Sequence, residues 1–125
     1  MPARQPPTFP KTCRLSDAAE FKAVYDRRLK VSDRLLLIFG LPRGDGPARI
    51  GLSVSKKQHG KQAVRRNRVK RLLREAFRLT RHEFPPGWDY VVIPRPAAET
   101  TLEDYQRSLR RLTRKLAERH AAEDR

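Results

Sequence analysis

Hydrophobic and polar positions along this chain alternate between two periods. Asp17 is followed three residues later by Glu20, a capping-box pattern that predicts a helix start near Ser16 or Asp17. Ala18, Phe21, Val24 and Tyr25 then recur at three- and four-residue spacing, so Phe21 and Tyr25 share a face of a helix that ends near Arg27 or Arg28. Leu29 to Ser32 reads as a short strand. Leu35 to Leu41 (LLLIFGL) is a continuous apolar run of strand length, the pattern of a strand covered on both faces. Arg43-Gly44-Asp45-Gly46-Pro47 reads as a turn, and Arg49 to Ser55 alternates, with Ile50, Leu52 and Val54 on one side and Gly51, Ser53 and Ser55 on the other. The two runs with the turn between them predict a hairpin.

A second helix is expected from near Ala63 to near Arg81, stopped by Pro85-Pro86-Gly87. Asp89 to Ile93 (DYVVI) reads as a strand closed by Pro94 and Pro96. A last helix from about Thr101 to Ala122 carries the stripe Leu102, Tyr105, Leu109, Leu112 and Leu116, with Glu103 and Asp104 suited to its first turn. The order α-β-β-β-α-β-α describes an α+β domain with a small central sheet flanked by helices. Residues 13–122 form that single domain. Residues 1–12, with four prolines and little apolar content, are expected to be a disordered basic arm, and residues 123–125 a frayed tail.

Charge changes this picture more than any other property. The 125 residues include 29 Lys and Arg against 14 Asp and Glu, a formal net charge of +15. Arginine supplies 21 of the basic residues, and its planar fork of donors suits phosphate oxygens. Such an excess repels itself in a compact fold unless a polyanion offsets it; nucleic acid is the leading partner, and an acidic membrane surface the alternative. Cys13 is the only cysteine, which excludes a disulfide framework and a zinc site built on thiolates. His59, His82 and His120 are too scattered to predict a metal site. No apolar run approaches the roughly 20 residues that cross a bilayer, and the N-terminus has no signal-peptide core. A cytoplasmic protein is therefore expected.

The charge concentrates on the second helix. From Lys56 to Arg81 there are eleven Lys or Arg residues and one acid, Glu75. On a helical wheel Val69, Leu72, Leu73, Ala76 and Phe77 make one apolar face, expected to pack against the sheet, while Asn67, Arg71, Arg74 and Arg78 lie near the opposite pole. Lys70, Arg81 and Arg68 flank that pole. An ordinary solvated face mixes both signs, because like charges four residues apart repel. Here only Arg71 and Glu75 are expected to compensate one another, so the face reads as a phosphate-binding surface. Arg66-Asn67-Arg68 at the helix start suits a tightly turned sugar-phosphate backbone; for Asn67, a purely local backbone-bonding role stays open.

Gly51-Leu52-Ser53-Val54-Ser55-Lys56-Lys57, followed by the run from Ala63 through Arg66-Asn67-Arg68 to Arg78, resembles the signature of the bacterial ribonuclease P protein subunit. Arg14-Leu15 with Phe21, Val24 and Tyr25 is similar to that family's first helix, and Asp89 to Ile93 to its last strand. The resemblance spans roughly Arg14 to Leu116. It implies a left-handed βαβ crossover carrying the basic helix. It implies a protein that is not the catalyst, assembled with a catalytic RNA that removes the 5′ leader of precursor tRNA. The Mg²⁺ this requires belongs to the RNA-containing holoenzyme, and no cofactor is expected on the protein itself. By position, Lys56, Lys57, Arg65, Arg66, Asn67, Arg68, Lys70, Arg71, Arg74 and Arg78 would contact RNA, while Phe21, Tyr25, Leu37 and Phe39 would line a cleft for the single-stranded leader. Aromatic faces stack on bases without demanding sequence, although for Phe21 and Phe39 ordinary core packing is the competing reading. No catalytic residue, metal ligand, membrane contact or protein partner is expected. The segment Gln58 to Gln62 is longer than the family's compact loop, and the proline arm is also a departure.

A protein nuclease acting alone would need a general base or paired carboxylates. Glu75, Asp89 and Asp104 form no such constellation in the sequence. A generic RNA- or DNA-binding module remains the second class.

Overall fold

A computed structural model describes residues 13–54, 63–96 and 100–123. The proline arm, Lys56, Lys57 and the segment Gln58 to Gln62 lie outside the described residues. Helix α1 spans Ala18–Arg27, strand β1 Lys30–Ser32, β2 Leu36–Pro42 and β3 Arg49–Leu52. Helix α2 spans Ala63–Thr80 and tightens into a 3₁₀ turn over Arg81–Glu83; β4 (Trp88–Pro94) and α3 (Leu102–Glu123) complete the order. The α+β architecture expected from the sequence is the one observed.

Helix α1 begins as its capping box dictates. Asp17 accepts the Ala19 amide at 2.9 Å, and Glu20 reaches back to the Ser16 amide at 3.3 Å. Arg28, at φ 60°, ends the helix in the left-handed conformation, its amide bonded to the Tyr25 carbonyl.

The sheet order is β1-β2-β4-β3, and this corrects the expected hairpin. Strands β2 and β3 are not paired. Strand β4 lies between them, antiparallel to β2 and parallel to β3. All but one of the residues of β4 are buried, so it takes the place where both edges and both faces are covered. The 43–47 turn reverses the chain but crosses the start of β4, which sets β3 on the far side of that strand. Gly87, at φ 78°, donates its amide to the Gly46 carbonyl and accepts from the Arg43 amide. A side chain on Gly87 would meet the Gly44 carbonyl at 2.6 Å, so the crossing requires glycine. The edge of β3 is met by a bridge from Arg14 to Ile50, with the Leu15 amide donating to the Ile50 carbonyl.

The two faces of the sheet are covered differently. On one, Ile38, Ile50, Tyr90 and Val92 join Leu73, Ala76 and Phe77 of α2 and Tyr105, Leu109, Leu112 and Leu116 of α3 in the main core. The wheel identified the buried side of α2 correctly, with Val69 and Leu72 half-buried at its margin. Its principal packing partner, however, is α3 rather than the sheet. The amphipathic stripes of both helices close against each other above the strands. On the other face, among the described residues, α1 lies over the sheet, with Leu15, Val24 and Val91 buried and Phe21, Tyr25, Phe39, Leu41 and Ile93 half-buried around them. Strand β2 therefore has one fully buried side and one half-covered side, not the two covered sides its composition implied. Strand β3 ends at Leu52, short of Ser55, and both Ile50 and Gly51 are buried.

Candidate nucleic-acid interface

Burial of Leu73, Ala76 and Phe77 fixes the rotation of α2, and with it the direction of its cations. Arg65, Asn67, Arg68, Arg71 and Arg74 are exposed, while Arg66, Lys70 and Arg78 are half-buried. Arg65, Arg68, Lys70, Arg71 and Arg74 make no ion pair among the described residues. Arg78 differs. It pairs with Glu75, the acid that the sequence assigned to Arg71. Hydrogen bonding from Arg78 holds the Glu75 carboxyl below its ordinary pKa. From Glu75, Arg71 and Arg78 are four and three residues away on opposite sides, both within reach. With Arg78 neutralised, the outward positive face is centred on Arg68, Arg71 and Arg74.

Val64, Asn67, Arg68, Arg71 and Leu72 line an open depression along this face. Its apolar floor and guanidinium rim leave room for a stacked base beside a bound phosphate.

The second candidate region lies under α1. Tyr25 meets Phe39 edge to face, with ring centroids 5.0 Å apart, and the Lys30 ammonium stands 5.7 Å from the centre of the Phe39 ring. Phe21, Tyr25 and Phe39 thus gather in one partly open cluster. Leu37 lies two residues before Phe39 on the same side of β2, outside that cluster. The aromatic residues here pack against the sheet and keep part of their surface exposed.

The structure joins the two regions. A pocket of about 140 Å³ is lined by Leu15, Phe21 and Leu52 together with Arg14, Lys70 and Arg74. The sequence had assigned Phe21 to one site and Lys70 and Arg74 to another; the parallel β3–α2–β4 crossover brings them to the lining of one recess. Arg14 and Leu15 were not among the expected contacts. Their proximity arises from the bridge to β3, a pairing that no local pattern announces.

A further group was missed altogether. Asp89, at the start of β4 and only 6% exposed, accepts from Arg43 Nε at 2.7 Å and from Arg49 Nε and Nη2 at 2.8 and 2.7 Å. Burial pushes the Asp89 carboxyl upward, but these hydrogen bonds and charges outweigh it and leave the pKa below the usual carboxylate range. Arg49 also donates through Nη1 to Glu20 on α1 at 2.7 Å. Its guanidinium pKa is raised, first by the hydrogen bond to Asp89. An acid opening an apolar strand was the only sequence signal of this arrangement.

No group of three or more His, Cys, Asp or Glu side chains among the described residues stands together to hold a metal ion. The best-placed carboxylates are already engaged. Asp89 carries two guanidinium groups, and Asp33 accepts the Leu35 and Leu36 amides, the Ser108 hydroxyl and Arg111. These donor sets do not fit Mg²⁺, which takes near-octahedral oxygen and retains water. No described helix is long and apolar enough to cross a membrane.

Comparison with known proteins agrees with this arrangement. The Ribonuclease P family model matches residues 9–117. A Geobacillus kaustophilus protein named Ribonuclease P protein component is 44% identical over 107 residues, covering 84% of this chain and 87% of the relative. A Thermotoga maritima RNase P protein superposes with a TM-score of 0.72 at 26% identity, over 82% of this chain and 96% of that one. A Staphylococcus aureus RNase P protein mutant, described as defective in mRNA degradation activity, gives a TM-score of 0.69 at 31% identity, over 86% of this chain and 90% of that one. The chain belongs to the bacterial ribonuclease P protein family, the protein component of a tRNA-processing endoribonuclease.

Proposed function

We propose that this protein docks on the catalytic RNA of ribonuclease P through α2 and receives the 5′ leader of precursor tRNA in the cleft beneath α1. The chemistry of leader removal then rests with the RNA and its Mg²⁺. The observation that carries this reading is the recess lined by Phe21 together with Lys70 and Arg74. Its lining combines an aromatic surface for a base with cations for a phosphate, the pairing that single-stranded nucleic acid requires. Arg68 and Arg71, farther out on the same helix, remain for the larger RNA. Carboxylates committed to arginine supply neither a general base nor a metal seat, which supports a subunit that positions RNA without cutting it.

Reconstitution tests this directly. The purified protein is added to its cognate catalytic RNA, and precursor tRNA cleavage is followed across a Mg²⁺ series. Protein should lower the Mg²⁺ required, and binding to the catalytic RNA and precursor tRNA should exceed binding to random duplex DNA at matched salt. Comparable affinity for all three would favour a generic nucleic-acid-binding module. The relative linked to mRNA degradation makes the RNA-free control informative: precursor tRNA cut at its mature 5′ end by protein alone would overturn the proposal.

A further inference from the structure

Helix α1 is held over the sheet by two adjacent residues seated on alternate positions of one strand. Glu20 accepts from Arg49 Nη1 at 2.7 Å. Phe21, the next residue, lies against Gly51, where a Cβ would sit only 2.5 Å from the Phe21 ring carbon Cζ. Arg49 and Gly51 are two apart on β3 and so face the same side. Their partners in β4 are Asp89 and Val91. Asp89 clamps the Arg49 guanidinium through two hydrogen bonds and is itself held by Arg43.

We infer that Glu20, Arg49 and Asp89, with the bare backbone of Gly51, are positioning residues that set where α1 stands and hence where Phe21 presents its ring. The inference rests on the reading of the α1 cleft as the leader site. An arginine held on two sides by carboxylates has little to offer a phosphate, so Arg49 serves geometry although it lies in a basic protein beside a nucleic-acid cleft. Bidentate Arg–carboxylate pairing fixes direction as well as distance. Gly51 removes the side chain that would lift Phe21 off the sheet.

Charge and position make opposite predictions here, and two variants separate them. Glu20→Ala removes a negative charge near the cleft; Arg49→Met removes a positive one. If charge alone matters, the first tightens leader binding and the second weakens it. If position matters, both weaken it. In the reconstituted holoenzyme, KM for precursor tRNA with a long leader should rise about tenfold in both, a modest displacement effect. The kcat at saturation and the KM for a one-nucleotide leader should stay near wild type. Glu20→Gln retains an acceptor for Arg49 and should restore most of the loss. Gly51→Ala should match Glu20→Ala, because it displaces the same ring from below.

Opposite signs for Glu20→Ala and Arg49→Met would overturn the inference in favour of charge. Equal losses on both substrates, with a lowered melting temperature, would reduce these residues to structural support and overturn it as well. Phe21→Ala serves as the control. If it abolishes leader dependence while the other variants leave it intact, positioning fails and the cleft stands. If Phe21→Ala leaves leader dependence unchanged, the cleft assignment fails and takes the positioning role with it.

Discussion

Tyr90 is 1% exposed in the central strand, stacked on Trp88 at 5.8 Å and set edge to face with Phe84 at 6.0 Å. Its hydroxyl is shielded from solvent and has no hydrogen-bond partner among the described residues. Burial alone raises the phenol pKa well above its ordinary value. A buried hydroxyl without a partner costs about 1–3 kcal/mol, while the ring contributes packing that phenylalanine would keep. Tyr90→Phe should therefore stabilise the protein by about 1 kcal/mol, or roughly 4 °C in melting temperature for a domain near this size. Thermal unfolding checks this, and a fall in melting temperature would show that the hydroxyl is satisfied in solution. The contrast with Asp89 is instructive. Both are polar groups in β4, but the carboxylate is matched by two guanidinium groups and its pKa moves down. Residue by residue, burial acquires its sign from the partners.

At the scale of elements, local chemistry was readable and pairing was not. The capping box placed the start of α1, and the helical wheel of α2 separated Leu73, Ala76 and Phe77 from the cations, because both depend on neighbours within a turn or two. The expected hairpin failed for the opposite reason. Whether β3 pairs with β2 or with a strand nearly forty residues later is decided by which strand best fills the centre of the sheet, and alternation along β3 is silent on that. The same limit hid the recess joining Phe21 to Lys70 and Arg74, the bridge from Arg14, and the Arg49–Asp89 clamp between residues 40 apart. The exchange of Arg71 for Arg78 beside Glu75 is smaller, a choice between neighbours four and three residues away, both within reach. Two faces with separate tasks imply separable defects. Arg68→Ala removes an exposed cation from α2, so it should weaken assembly with the catalytic RNA by about 1 kcal/mol, or roughly fivefold. Phe21→Ala should leave assembly intact and weaken substrate binding according to leader length, by about 1–3 kcal/mol for each base that loses its stack. Filter binding of the RNA and leader-length kinetics measure the two. Identical behaviour of both variants would show that the division between docking helix and leader cleft is wrong.

At the scale of the whole molecule, many of the described acids are held in arginine pairs. Glu20, Asp33, Glu75, Glu83, Asp89, Asp104 and Glu123 each hold a guanidinium, while five cations of α2 make no ion pair among the described residues. The formal +15 is therefore not spread evenly; these pairs leave α2 exposed as a cationic face. A surface of this kind binds by releasing counterions from the nucleic acid, so affinity should fall linearly on a log–log plot against salt. With about six phosphates contacted, raising monovalent salt from about 50 to about 200 mM should cost about three decades of affinity for the catalytic RNA. Mutations separate this general field from the structured contacts. Arg68→Ala and Arg71→Ala together should make the slope shallower by roughly one to two, since each removes one phosphate neutralisation. Gly51→Ala changes no charge and should leave the slope alone while altering leader dependence. A salt slope near zero for wild type would mean that contacts other than phosphates carry the assembly. A full slope in the Arg68/Arg71 double variant would move the RNA-binding face away from the exposed side of α2, to cations elsewhere on the surface.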